Sequence, residues 1–181
     1  LQRSVLEFPQ KYKMNLRVDV EKYGKELITK TENKIGKFFK TEQLVYLWSW
    51  CITCPHCNQR FPLLSKMYVV KNTKKKIGVK VIPKNKNFVI EIIKNMSNDE
   101  GEKFTQKGGK AICISCKNSI NRKTITEDIA KNKDKEIIVI QIQKTIGRDY
   151  TIPTKEDKKI YQDAVKYFNL KRLDFEKENL V

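Results

Sequence analysis

The sequence predicts an α+β chain, an antiparallel β region flanked by an N-terminal and a C-terminal amphipathic helix. Two observations carry this. Near both ends apolar residues recur at three- and four-residue steps, the helical period. Between Leu44 and Pro153 they gather instead into short runs rich in Val and Ile, separated by Lys-, Asn- and Gly-rich turns. At 181 residues the chain is long enough to bury an ordinary core without cross-links.

The first helix is expected over residues 19–39, with Asp19 as N-cap and Val20, Tyr23, Leu27, Thr31, Ile35 and Phe38 forming one buried stripe. The β-type runs that follow are LVYLW, MYVV, KIGVKVI, NFVIEII, KAICI and EIIVIQIQ. Residues 95–110, NMSNDEGEKFTQKGGK, show no period and read as a mobile hairpin loop, whose glycines do not form a phosphate-binding turn. After Pro153, Thr154-Lys-Glu-Asp157 is a capping-box variant. It opens a second helix with Ile160, Tyr161, Ala164, Val165 and Phe168 on one face. The expected organisation is an N-terminal helical segment over 1–43, a β domain over 44–153 and a C-terminal helix over 154–181.

Thirty-eight Lys and Arg against twenty-one Asp and Glu leave a formal net charge of +17, a field that attracts polyanions. The basic residues are overwhelmingly Lys, beside abundant Ile and Asn, a set favoured by A- and T-rich coding, so charge alone does not separate a nucleic-acid binder from a well-solvated surface. Guanidinium forks suit phosphate and base edges better than ammonium groups. Arg60, Arg122 and Arg148 are the few arginines near the segments of interest. No window approaches an uncharged run of membrane-spanning length, and the opening LQRSVLEFPQKYK has no apolar leader core. No membrane partner is expected.

The stretch Trp48-Ser-Trp-Cys-Ile-Thr-Cys-Pro-His-Cys57 holds both tryptophans, the single histidine and three of the five cysteines. Cys113-Ile-Ser-Cys116 repeats the spacing of Cys54-Pro-His-Cys57. A Cys-x-x-Cys on a tight turn aims two sulfurs at one point, and two such knuckles supply the four thiolates that tetrahedral zinc accepts. The β region is therefore expected to be zinc-ribbon-like, with structural Zn2+ on Cys54, Cys57, Cys113 and Cys116. Fifty-five residues lie between Cys57 and Cys113, and the strands between must fold back to join the knuckles. Closing such a loop costs roughly 3–4 kcal/mol. Structural zinc contributes roughly 10–16 kcal/mol in apparent binding free energy, so the metal wins that comparison. A redox pair and unmetallated core thiols are the alternatives; a redox Cys-x-x-Cys belongs at a helix start, whereas both pairs here follow strand-like residues. Cys51 reads as a strand residue, His56 as outward-facing within its knuckle, and Trp48 and Trp50 as packing on one strand face. Paired thiols of this kind also point to a reducing, cytoplasmic setting.

The order LEFPQKY, DVEKYGKEL, YLWSWCITCPHC followed by FPLL, KAICISC and RDYTIPTKED resembles one segment of the large adenine-specific DNA methyltransferases that contain a zinc ribbon. The resemblance covers nearly the whole chain. In that family a tryptophan-containing strand enters the first Cys pair, and a Tyr-x-x-Pro-Thr-x-x-Asp segment opens the closing helix. The glycine-rich S-adenosylmethionine-binding turn lies before such a segment and the Asp-Pro-Pro-Tyr catalytic motif after it, and neither pattern occurs between Leu1 and Val181.

The resemblance therefore implies an internal fragment, an expectation that fits a first residue of Leu. Such a fragment is not catalytic alone, and S-adenosylmethionine would be bound only by the parent enzyme. Its implied partners are DNA and the remainder of the methyltransferase polypeptide. Candidate phosphate contacts are Lys74, Lys75, Lys76 and Lys84 beside the strands, with Arg122 and Lys123 after the second knuckle. The ribbon could equally brace the methyltransferase fold, or be a free-standing nucleic-acid or protein binding module. One departure from the usual pattern is Asn58 and Lys117 where zinc knuckles commonly place Gly after the second Cys. Asn tolerates the left-handed backbone that position needs better than Lys does.

Overall fold

The structure is a computed structural model that describes residues 3–73 and 75–177. It mixes helices with antiparallel sheets and divides into two compact units, one running from Glu42 to Lys159. The other combines the N-terminal segment through Thr41 with the C-terminal segment from Ile160.

In the second of these, α1 (Phe8–Ile35) begins eleven residues before the expected Asp19 cap, with Pro9 in its first turn, where the missing N–H costs nothing. Its backbone breaks at Lys13, φ 48° and ψ −131°. The expected buried stripe is not buried: Val20, Tyr23 and Leu27 are each about 60% exposed or more. Helical periodicity says which face would pack, and not whether the chain supplies a partner. At the end of the stripe the Phe38 ring meets Tyr167 of α4 (Lys155–Lys177) at 5.4 Å between centroids.

The Glu42–Lys159 unit is built of three antiparallel sheets. The first has the order β10-β9-β1-β2, from β1 (Gln43–Thr53), β2 (Arg60–Pro62), β9 (Lys135–Gln143) and β10 (Arg148–Thr151). The second is β3-β4-β5, from β3 (Tyr68–Lys71), β4 (Lys76–Lys84) and β5 (Asn87–Lys94). The third is β6-β7-β8, from β6 (Gln106–Lys107), β7 (Lys110–Ile112) and β8 (Ser119–Ile120). Each of the six expected β-type runs overlaps a strand, with Met67 of MYVV and Cys113-Ile114 of KAICI lying beyond the strand ends.

Two cores form. Ile137 to Ile140 of β9 are buried in succession, so both faces of that strand are covered, and Ile138 and Val139 pack with Val79 of β4. The other core, Ile52, Phe61, Ala111, Ile120 and Ile125, surrounds the cysteine knuckles. Ile125 comes from a helix the sequence reading did not foresee, α3 (Arg122–Asn132), whose Asn121 side chain caps the Thr124 N–H at 2.9 Å.

Residues 95–110 are likewise more ordered than a mobile loop. Ser97 opens a single helical turn, α2 (Asn98–Gly101), accepting from the Glu100 N–H and donating to the Glu100 carboxylate, a reciprocal cap. Gly108 and Gly109, both at positive φ, turn β6 into β7. Thr105 is buried; its hydroxyl accepts from the Leu64 N–H and donates to the Pro62 carbonyl. That side chain, with the Thr105 and Gln106 N–H groups donating to the Leu64 carbonyl, ties the exit of the first knuckle to the hairpin carrying the second.

Gly78 in β4 is required by close approach. A Cβ there would lie 2.2 Å from the Met96 sulfur and 2.6 Å from the Met67 carbonyl oxygen, and the latter cannot swing away. Gly78→Ala is expected to cost about 1–3 kcal/mol by overpacking, read as a lower denaturant midpoint at unchanged slope.

Candidate metal centre

Each knuckle is a strand, a Cys-x-x-Cys turn and a returning strand. In the first, β1 ends at Thr53, the Cys54 N–H donates to the Gln59 carbonyl at 2.9 Å, and the Asn58 N–H returns to the Cys54 carbonyl at 2.9 Å. The second repeats this bond for bond: Cys113 N–H to the Asn118 carbonyl at 3.0 Å, and Lys117 N–H to the Cys113 carbonyl at 3.2 Å. Asn58 and Lys117 occupy equivalent left-handed positions, φ 58° and 62°. The lysine adopts the conformation that the second knuckle demands despite its side chain.

The four sulfurs converge. Cys54 Sγ lies 3.7 Å from Cys116 Sγ and Cys57 Sγ 3.6 Å from Cys113 Sγ, and all four are within 4.8 Å of one another. A disulfide needs about 2.05 Å, so these thiols are not bonded to each other. Four ligands at a zinc–sulfur distance of about 2.3 Å define a tetrahedron with an edge of about 3.8 Å, close to the two shortest separations. The donor set fits a divalent, thiophilic cation. Cys51 and His56 stand outside this group, Cys51 buried in β1 and His56 exposed on its turn.

Electrostatics favour the same occupant. Burial pushes the Cys113 thiol up to about 12 and raises Cys54 as well, although backbone N–H groups of the knuckles oppose it. Burial also acts against ionisation of Cys57, but the Gln59 N–H and the neighbouring thiols outweigh it and draw Cys57 down to about 7. Four thiolates this close together, two of them buried, are unstable without a cation, and a cation at their centre reverses that order. Four thiolates on a divalent ion leave a net charge of −2. Lys86 donates from Nζ to the Cys57 carbonyl at 2.9 Å and Lys117 to the Ile114 carbonyl at 2.8 Å, placing one ammonium on each knuckle.

Lys86 was not singled out from the sequence. It sits on the Asn85-Lys86 turn between β4 and β5, with both residues at positive φ, and that hairpin tip docks on the first knuckle through Arg60 N–H to the Lys86 carbonyl. Arg60, considered for phosphate, is already engaged. Its Nε and Nη2 hold Asp134 at 2.6 and 2.8 Å, and Nη1 reaches Glu136 at 2.7 Å. The guanidinium is also 5.1 Å from the Phe88 ring centroid.

The candidate nucleic-acid contacts are spread out. Lys74 lies outside the described residues. Lys75 is half-buried, donating to the Arg148 carbonyl at 2.9 Å with its ammonium 5.6 Å from the Tyr150 ring centroid. Lys76 begins β4 and Lys84 ends it, about 27 Å apart at roughly 3.3–3.4 Å per residue, so they are not one cluster. Arg122 and Lys123 are exposed in the first turn of α3. Trp48 and Trp50 are 41% and 37% exposed and so are not core, and the Lys135 ammonium sits 4.1 Å from the Trp50 ring centroid.

Among the described residues no helix is long and apolar enough to cross a membrane. No family model matches the chain, and neither a curated protein nor a solved structure matches it significantly.

Proposed function

We propose that the chain is a zinc-ribbon module that binds DNA, carried between the cofactor-binding and catalytic motifs of an adenine-specific DNA methyltransferase. The observation that carries the metal part is the convergence of two equivalent Cys-x-x-Cys knuckles onto one set of four sulfurs with near-tetrahedral separations. With zinc bound, the two hairpins are cross-linked at their turns, which fixes the core of Ile52, Phe61 and Ile120 beneath them. Catalysis and S-adenosylmethionine belong to the parent enzyme, and the motif order in the sequence supports that context. DNA as partner is supported by the net charge of +17 and by exposed Lys84, Arg122 and Lys123. The helix N–H groups at the start of α3 add to the positive potential around the last two.

The module, purified with its metal, is expected to bind duplex DNA. If about four phosphates are neutralised, affinity falls roughly a hundredfold between about 50 and 200 mM salt. Charge reversal at Lys84, Arg122 and Lys123 should flatten that slope. No binding at the lower salt removes DNA from the proposal and leaves a bracing or protein-binding ribbon. The methyltransferase context is tested separately by reading the coding frame on either side for a glycine-rich cofactor turn upstream and Asp-Pro-Pro-Tyr downstream.

A further inference from the structure

Within the Glu42–Lys159 unit, a cleft of about 430 Å³ opens between the β3-β4-β5 sheet and the hairpin of the second knuckle. Its size falls among small-molecule sites, roughly 300–1,000 Å³. The lining is largely apolar: Met67, Ile93 and Met96 on the sheet side, the face of β4 that carries Lys80, with Phe104, Ile112 and Ile114 from the other segments. Ile112 is 37% exposed here.

The rim is charged and unbalanced. Lys80, Lys103 and Lys117 stand against one carboxylate, Glu100. Glu100 is occupied by the Ser97 hydroxyl, and the Lys117 ammonium by the Ile114 carbonyl. Lys80 and Lys103 are exposed and have no ion-pair partner among the described residues. Inside the cleft the buried Thr105 hydroxyl is already engaged both as donor and as acceptor. A nucleobase placed there could not pair its polar edge with that hydroxyl, a cost that an alkyl chain does not incur.

We propose that this cleft binds a small amphiphilic anion, with its apolar body on Ile93, Met96 and Ile112 and its carboxylate held by Lys80 and Lys103. The site is separate from DNA binding and does not depend on that reading.

The test is methyl NMR of the full chain with its metal, titrated with decanoate, decanol and AMP. Decanoate should produce saturable, one-to-one shifts of the Met67, Met96, Ile112 and Ile114 methyls. Lys80→Glu with Lys103→Glu should weaken it at least tenfold, and decanol should bind at least tenfold more weakly than decanoate. The methyl spectrum of the double variant itself reports that the fold is kept. The proposal is overturned by the absence of saturable shifts at these methyls, by a charge-reversal effect under threefold, or by AMP binding the cleft more tightly than decanoate.

Discussion

Cys113→Ser is expected to release the metal and unfold the β domain around the knuckles. The sulfur it removes is buried, 3.6 Å from Cys57 Sγ, in the core that the two knuckles share. Structural zinc contributes roughly 10–16 kcal/mol in apparent binding free energy. Whole domains are stable by only about 5–15 kcal/mol. Three remaining ligands cannot retain enough of that contribution, so thermal unfolding should lose its cooperative transition and zinc should appear in the filtrate. Cys51→Ala is the control. Cys51 is equally buried in β1 but lies outside the sulfur cluster. That variant should keep one zinc per chain and a cooperative melt.

Arg60→Ala should be the most damaging change that leaves the cysteines alone. Arg60 joins β2 to β9 and to the turn before it, bidentate to Asp134 and bonded to Glu136, with all three side chains less than a third exposed. Removing it leaves two carboxylates side by side in a poorly solvated site, for which a loss of about 2–4 kcal/mol is expected. Lys should rescue little, since one ammonium cannot reproduce the fork. The pH dependence has a definite sign. Burial opposes the charge on Glu136, yet the Lys158 ammonium and the Arg60 guanidinium hold its carboxyl below the usual range. Its stabilising contribution is therefore present above the ordinary Glu value of 4.5 and is lost as pH falls through the lower, folded value. Stability measured from pH 7 to 3 should fall for the native chain in that window, and the fall should be smaller for Arg60→Ala.

Much of this was legible from residue types alone. The six β-type runs needed no tertiary information, because period-two and continuous Val/Ile patterns between turn residues are local signals. The Thr154–Asp157 cap forms as the sequence implies, with Thr154 N–H donating to the Asp157 carboxylate and Asp157 N–H to the Thr154 hydroxyl. The two knuckles are alike because equal spacing imposes equal turns. α3 was hidden: it buries only Ile125, with Ile129 half-buried, and Thr124, Ile125 and Thr126 are β-branched, so its stripe is too thin to register against a strand-like composition. Its usable signal was the Asn121 cap followed by Ile at 125 and 129. The Ser97-Asn-Asp-Glu100 cap was equally available within the segment taken for a loop. Nothing local could have shown that Val20, Tyr23 and Leu27 of α1 are exposed or that Arg60 is engaged by Asp134, seventy-four residues away.

The central claim is a four-thiolate zinc clamp, and X-ray absorption at the zinc edge of the purified chain tests it most directly. One zinc per chain with four sulfurs at about 2.3 Å is the predicted result. A shell containing nitrogen or oxygen, a different metal, or a folded chain that carries no metal contradicts it.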